Sequence, residues 1–503
     1  MKEKKYLLGY DIGSSSIKAA LVCVDNGETI AIAHAPDTEM EMHAPHPGWA
    51  EQDPESWWQY VCLATRKILH DTSIQSEQII SVGIAYQMHG LVAVDQTGKV
   101  VRPSIIWCDD RAVPIGERAF QELGATTCLT HLLNSPGNFT ASKLKWVQDL
   151  EPENYRRIYK VMLPGDFIAY RLTNKLSTTV SGLSEGTLWD FAMNEPAQIL
   201  LDYYGLDAKV LPELVPTIGV QGYLTDEAAA KTGLPAGIPV GYRAGDQPNN
   251  ALALNVLEPG EVAATGGTSG VVYAVVDRYI YDSESRVNGF AHVNHQHDDP
   301  RVGILLCING AGILYSWIRK EVAPAGISYQ EMEKQAATVP VGSDGLRILP
   351  FGNGAERMLS NQQTGVQWIN LQLNRHKKQH IYRAALEGIA FAFVYGMQIL
   401  KRMGVDLQVI RVGNDNLFQS RIFSETIANL TGSTIEVLDT TGAVGAAKAA
   451  GVAAGCFASI REAVQSAGVI QSYRPQDAVD AYREAYELWE NDLMNQQNVT
   501  VTA

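Results

Sequence analysis

Apolar and polar positions along this chain form two similar patterns, each wrapped around a turn of small residues. Residues 5–24, KYLLGYDIGSSSIKAALVCV, predict strand, tight Gly-Ser turn, strand, and residues 261–276, EVAATGGTSGVVYAVV, predict the same. Small hydroxyl-bearing turn residues leave backbone N–H groups available to an anion. One such turn is ordinarily only a turn. Laid on each other, Gly13-Ser14-Ser15 and Gly267-Thr268-Ser269 are offset by 254 residues, about half the chain, which suggests a duplicated phosphate-gripping unit. Around these hairpins the pattern alternates between helix and strand. It predicts a helix over Pro54–His70, strands at Ile79–Tyr86 and Leu91–Val94, and a long apolar helix over Ile381–Leu400. A strand at Gln408–Val412 and a helix at Gln419–Leu430 follow. Thr441–Ala454 predicts a small-residue helix that permits close backbone packing, and Ala478–Met494 a last helix before a frayed polar tail.

Length and composition narrow the class. A chain of 503 residues, 46% hydrophobic and 19% charged, can bury a large core and divide into two large domains or several small ones, and it does not read as disordered. Its 40 basic against 55 acidic residues give a net charge of −15, which argues against nucleic acid or an anionic membrane as partner. Any phosphate must therefore be gripped locally. None of the six cysteines forms a CxxC, so a disulfide framework or zinc site is not expected and a reducing cytoplasm is. The start, MKEKKYLLGYDIG, lacks the apolar core of a signal peptide. Val302 to Ile318, interrupted by Asn309 and three glycines, falls short of a spanning helix.

Few residues are placed to carry chemistry. Asp11 ends the first strand directly before the phosphate turn. A carboxylate there repels phosphate unless Mg²⁺ lies between, although an Asp bonding its own turn is the ordinary alternative. Asp246 in YRAGDQ, at a predicted strand end, suits acceptance of a hydroxyl proton in phosphoryl transfer, or equally a helix N-cap. His89 in QMHG is placed to hydrogen-bond a polyol, though a lone His is more often structural. Trp107-Cys108-Asp109-Asp110-Arg111 sets an aromatic face beside charged groups, which suits a sugar; a local Asp–Arg surface pair is the plainer reading. His292, His295 and His297 are expected on a solvent-exposed hairpin and are assigned no metal. P-loop, zincin and serine-hydrolase motifs are absent.

The set DIGSSSIK (11–18), PGWAEQDPESWW (47–58), YQMHGLV (86–92), IIWCDDRA (105–112), AGDQ (244–247) and GGTSG (266–270) resembles the FGGY carbohydrate kinases, of the actin, hexokinase and heat-shock ATPase superfamily. Within that family it is most similar to the D-xylulose kinases, since QMHG precedes a W-x-D-x-R segment. The resemblance implies an α/β chain of two ribonuclease-H-like domains facing each other across a cleft. The expected divisions are 1–248 on the sugar side, 249–495 on the nucleotide side, and a tail at 496–503. It implies ATP and Mg²⁺ as cofactors, a ketopentose as substrate, and Asp246 as the base that takes the proton of the sugar's 5-hydroxyl. Asp11 matches the acid that holds Mg²⁺ and orients phosphates. Met88 and His89 match the dipeptide that contacts xylulose, with Trp107 and Asp109 lining the same pocket.

The two small-residue turns match the family's phosphate loops. Gly310 and Gly312 fall at a nucleotide loop, and Gly413 and Asn414 at the adenine segment. The chain departs from the family's pattern in two places: Val412-Gly413-Asn414-Asp415-Asn416 replaces a glycine-rich run, and Cys108 replaces an Asn. The first bears on nucleotide affinity and the second on the ketose chosen. A kinase of another ketose or polyol, a non-catalytic sugar-binding regulator and an actin-like filament ATPase are the alternatives. A homodimer is left open.

Overall fold

β-Branched and small apolar residues in short runs build two sheets whose strands follow the same plan. The computed structural model describes residues 4–477 and 479–501. In the first lobe, β1 (Tyr6–Ile12), β2 (Ile17–Cys23) and β3 (Thr29–Ala35) form an antiparallel meander. Helix α1 (Pro54–Thr72) then leads to β4 (Ile79–Tyr86), parallel to β1. Three helices that shape the pocket follow: α2 (Thr140–Leu150), α3 (Pro164–Thr173) and α4 (Val180–Glu185). Then β5 (Ile218–Tyr223) and β6 (Pro239–Gly245) complete a sheet of order β5-β6-β4-β1-β2-β3.

Helix α5 (Asp246–Ala253) joins the lobes, so the expected division after residue 248 falls inside a continuous helix. The second sheet opens with β7 (Glu261–Gly266) and β8 (Gly270–Val276), followed by β9 (Asn288–Ala291) and β10 (Val302–Ile308). After α6 (Gly312–Trp317) and the buried α7 (Lys378–Arg402) come β11 (Val409–Gly413), α8 (Arg421–Thr431), β12 (Thr434–Leu438), α9 (Gly442–Ala453) and β13 (Val469–Tyr473). The order is β9-β10-β8-β7-β11-β12-β13. Each sheet therefore has an antiparallel hairpin beside two parallel strands and an antiparallel edge, and the half-length repeat is a repeat of topology.

α7 is long and apolar enough to cross a membrane, but most of its residues are buried in the second lobe's core. The last helix, α10 (Asp480–Val501), continues through most of the expected tail, while Ala478, its expected first residue, lies outside the described residues.

One packing decision crosses the halves. The small-residue helix α9, from the C-terminal half, lies on β1 and β4 of the first sheet and against α5. A Cβ added at Gly9 would lie 2.0 Å from the Ala443 carbonyl oxygen, and one at Gly83 would lie 1.9 Å from that of Ala446. Backbone thus meets backbone, and only glycine fits. This seam holds the ends of β1, β6 and β12 together, and the candidate chemistry lies at those ends.

Candidate active site

Both small-residue turns close the hairpins as expected. Ile12 faces Ile17 across the first and Gly266 faces Gly270 across the second. Their carbonyls are pinned from outside. Gln52 Nε2 donates to the Ser14 carbonyl (2.7 Å) and the Met40 N–H to that of Ser15 (2.8 Å). In the second turn, the N–H groups of Gly312 and Ile313 donate to the carbonyls of Gly267 and Thr268, both at 3.0 Å. With these acceptors engaged, each loop offers mainly N–H and hydroxyl donors, the groups a phosphate needs.

Asp11, half-buried at the end of β1, has its carboxyl pushed above the usual range by burial, which the Lys18 charge offsets in part. Beside it, Asn249 donates its Nδ2 to the Gly442 carbonyl (2.9 Å) and leaves its buried Oδ1 without a partner. A Cβ on Gly442 would be 3.2 Å from Asp11 Oδ2 and 3.3 Å from Asn249 Nδ2, so the two side chains adjoin. A carboxylate beside an orphaned carbonyl oxygen suits a hard cation such as Mg²⁺. Among the described residues no group of three or more His, Cys, Asp or Glu could hold a metal, so most of such an ion's remaining positions would fall to water and phosphate oxygens.

Asp246 is the first residue of α5, directly after β6, and is half-buried. Burial, and then the Asp11 charge, push its carboxyl up to about 7. The N-cap position of α5 is held by Gly245 and not by Asp246. Met88 lies against the Gly245 turn that carries Asp246, and the next residue, His89, is in the left-handed region (φ 62°), with its ring edge-on to Phe139 at 4.7 Å. His89 Nδ1 lies 2.8 Å from the Glu185 carbonyl. A carbonyl only accepts, so Nδ1 carries the proton and Nε2 keeps a lone pair. Burial, and then the Lys143 charge, hold this imidazole down to about 3, so it is neutral near pH 7 and Nε2 is left as an acceptor. Met88 is buried beneath it.

The second sugar segment departs from expectation at one residue. Trp107 is 52% exposed and its indole N–H reaches toward Ser14 Oγ at 3.4 Å, which leaves an open ring face at the cleft. Asp109 is instead 0% exposed and does not line the pocket. Its carboxylate accepts from Arg111 Nε at 2.9 Å, Arg111 Nη2 at 2.6 Å and the Ala50 N–H at 2.6 Å. Arg111 lies over the Trp49 ring at 3.8 Å and also donates to Glu51 at 2.6 Å, a site shared with Arg102. The pair is therefore an internal tie that shapes the Trp107 loop. Lys143 completes it: its Nζ donates to the carbonyls of His89 (2.9 Å) and Ile106 (3.0 Å), and burial pushes its ammonium down to about 7.

A cavity of about 620 Å³ opens on the second phosphate loop, lined by Gly267, Thr268, Gly312, Tyr315, Tyr329, Asp415 and Asn416 among others. Tyr315 and Tyr329 stack at 5.6 Å, and Arg319 lies over Tyr329 at 4.3 Å. Two expectations shift here. The Gly310 N–H is taken by Glu356 Oε1 (2.7 Å), so Gly310 shapes its loop and offers no donor to the nucleotide. Asp415 and Asn416 line the wall where Gly413 and Asn414 were expected, and the Asn414 carbonyl is turned back to Gln419. The expected histidine hairpin differs as well: His292 is buried, bonded to the Tyr273 hydroxyl (3.1 Å) and the Val256 carbonyl (3.1 Å).

Glu185, Lys143, Asn249 and Glu356 were not singled out from sequence. Asn249 had a signal, since it follows Asp246 by three residues and so shares its helix face. The others carry none, because their roles depend on distant chain segments.

Known sugar kinases resemble this chain over nearly its full length. A xylulose kinase of Escherichia coli is 30% identical over 486 residues, covering 95% of each chain. One of Bacillus subtilis is 27% identical over 503 residues, covering 97% of this chain and 96% of that one. The crystal structure of xylulose kinase from Rhodospirillum rubrum superposes with a TM-score of 0.87 at 26% identity, over 98% of this chain and 99% of that one. With residues 6–253 matching the N-terminal domain and 262–454 the C-terminal domain, this chain belongs to the FGGY family of carbohydrate kinases.

Proposed function

We propose that this chain phosphorylates a ketopentose with ATP, and that its substrate is D-xylulose, giving D-xylulose 5-phosphate. The observation that carries this reading is Asp246, a carboxyl with proton affinity near neutrality that is coupled to Asp11 and follows the turn packed on Met88, the neighbour in sequence of the neutral acceptor His89. The sugar lies with its apolar face toward Trp107 and Met88 and a hydroxyl donated to His89 Nε2. ATP occupies the 620 Å³ cavity, its phosphates running toward the Gly267–Ser269 and Gly13–Ser15 loops. Asp246 takes the proton from the attacking 5-hydroxyl as that oxygen bonds to the γ-phosphorus and the bond to ADP breaks. The loop N–H and hydroxyl groups stabilise the charge on the transferring group. Closure of the lobes excludes water, the abundant competing acceptor. Mg²⁺, held by Asp11 through water with Asn249 beside it, would supply charge neutralisation at the phosphates. The six unpaired cysteines suit work in the cytoplasm.

The test is ADP release with a panel of D-xylulose, L-xylulose, ribulose, rhamnulose and glycerol, with and without Mg²⁺. D-Xylulose should give the highest kcat/KM, and chelation should abolish it. A higher kcat/KM for any other member reassigns the substrate. No sugar-dependent ADP release at all would remove the kinase reading.

A further inference from the structure

A carboxyl group that the transfer step leaves unassigned lies directly behind its base. Glu185 ends α4 and is 1% exposed; neither carboxyl oxygen has a partner within 3.5 Å, and the hydroxyl turned toward it is that of the buried Tyr86. It is lodged against the turn that carries Asp246, since a Cβ on Gly245 would be 2.6 Å from Glu185 Oε2 and 2.6 Å from Met88 Cγ. Its main-chain carbonyl fixes the tautomer of His89. One residue thus touches the supports of both the sugar acceptor and the proposed base.

The charges around it are few. Asp246 faces it from α5, Asp166 from α3, Tyr86 from β4 and Tyr273 from β8, and Arg243 of β6 lies beside Tyr86. The one cation in this set, Arg243, is already committed to Asp166 at 2.8 Å, both side chains being buried. The guanidinium therefore belongs to Asp166, and neither Glu185 nor Asp246 has a cation as partner among these groups. An unpaired charge in such a place is not sustained; the group keeps its proton instead. An ionised Glu185 would also add a second negative charge behind Asp246 and hold the base protonated, and therefore idle.

We propose that Glu185 is a positioning residue for phosphoryl transfer. It braces the Gly245–Asp246 turn and the Met88–His89 pair as an uncharged carboxylic acid, so that the negative charge at the cleft floor belongs to Asp246. This rests on the kinase reading above and adds a residue to it. Burial, and then the charges of Asp246 and Asp166, push the Glu185 carboxyl far above its ordinary range, which the Tyr86 hydroxyl offsets only in part, in keeping with the geometry.

The experiment compares the full-length parent, Glu185→Gln and Glu185→Leu. Glutamine keeps the volume and the donor without a titratable proton; leucine keeps neither donor nor acceptor. Glu185→Leu should lower kcat/KM for D-xylulose by about tenfold or more with the KM for ATP unchanged, and Glu185→Gln should recover most of that loss. The infrared difference spectrum of parent minus Glu185→Gln at pH 8 should show the C=O band of a protonated carboxylic acid. That spectrum needs no turnover, so it decides on Glu185 even if the panel finds no sugar substrate. The proposal is overturned if the band is missing. It is equally overturned if glutamine is as impaired as leucine, or if leucine changes only the melting temperature.

Discussion

Replacing Asp246 with Asn should remove activity and strengthen the fold at once, and the two effects have different pH signatures. Burial and the Asp11 charge carry this carboxyl from 3.8 to about 7. At 1.36 kcal/mol per pH unit, that difference is about 4 kcal/mol at most. Below pH 4 the carboxyl is protonated in both folded and unfolded chains, and the parent loses nothing. From pH 4 to 7 the unfolded carboxyl ionises while the folded one keeps its proton, so stability falls as pH rises. Above pH 7 the full cost is present. Asp246 is only half-buried, so solvent screening reduces the cost to ~2 kcal/mol. For a lobe of this size ~2 kcal/mol corresponds to a rise of about 5 °C in Tm. Asp246→Asn should therefore melt with the parent at pH 4 and about 5 °C above it at pH 8, while ATP-dependent sugar phosphorylation drops by about 10²–10⁴. Calorimetry at the two pH values and a coupled ADP assay read both arms. A Tm difference that is the same at pH 4 and pH 8, or near-normal turnover, would refute the assignment of this carboxyl as the strained base.

Other expectations follow from the same geometry. Asp109→Ala strips Arg111 of its bidentate partner inside the protein and should cost ~3 kcal/mol in urea unfolding, whereas a residue lining the pocket would change KM first. His89→Ala should raise the sugar KM by up to about tenfold, the worth of one neutral hydrogen bond, without altering the KM for ATP. The parent's sugar KM should show no His89 titration between pH 5 and 9, because that imidazole is neutral above about 3. Gly9→Ala drives a Cβ into the Ala443 carbonyl and should abolish soluble protein on gel filtration. Gly442→Ala meets Asp11 and Asn249 at 3.2–3.3 Å, which side chains can relieve, so it should fold and raise the KM for Mg-ATP.

Much of the scaffold was legible because its signals are local. β-Branched runs around Gly13–Ser15 and Gly267–Ser269 specify hairpins wherever they fold. The strand at Ile79–Tyr86 coincides with its expected bounds, since an apolar run ending in QMHG has few other options. The buried helix expected over Ile381–Leu400 extends only a few residues further. The candidate site was legible in part. Asp11 and Asp246 are coupled, Trp107 reaches the turn after Asp11, and Met88 packs on the turn before Asp246, whereas Asp109 is withdrawn, because a carboxylate two residues from Arg111 satisfies itself internally once both are buried. Gly310 was misplaced for a similar reason: the acceptor that captures its N–H, Glu356, lies 46 residues away.

The two hairpins, their repeat at half the chain's length and the residue types available for phosphoryl transfer were determined by the sequence alone. These depend on periodicity and turn chemistry within short windows. Periodicity reports that a face is buried and is silent on what buries it. Only the tertiary structure decided that α9, from the C-terminal half, would lie against Gly9 and Gly83 of the first sheet. That contact brings Asp11, Asn249 and Gly442 together, and the packing of α4 behind β6 leaves Glu185 without a counter-ion. A carboxyl's charge is set by the groups around it, and those groups come from segments hundreds of residues apart.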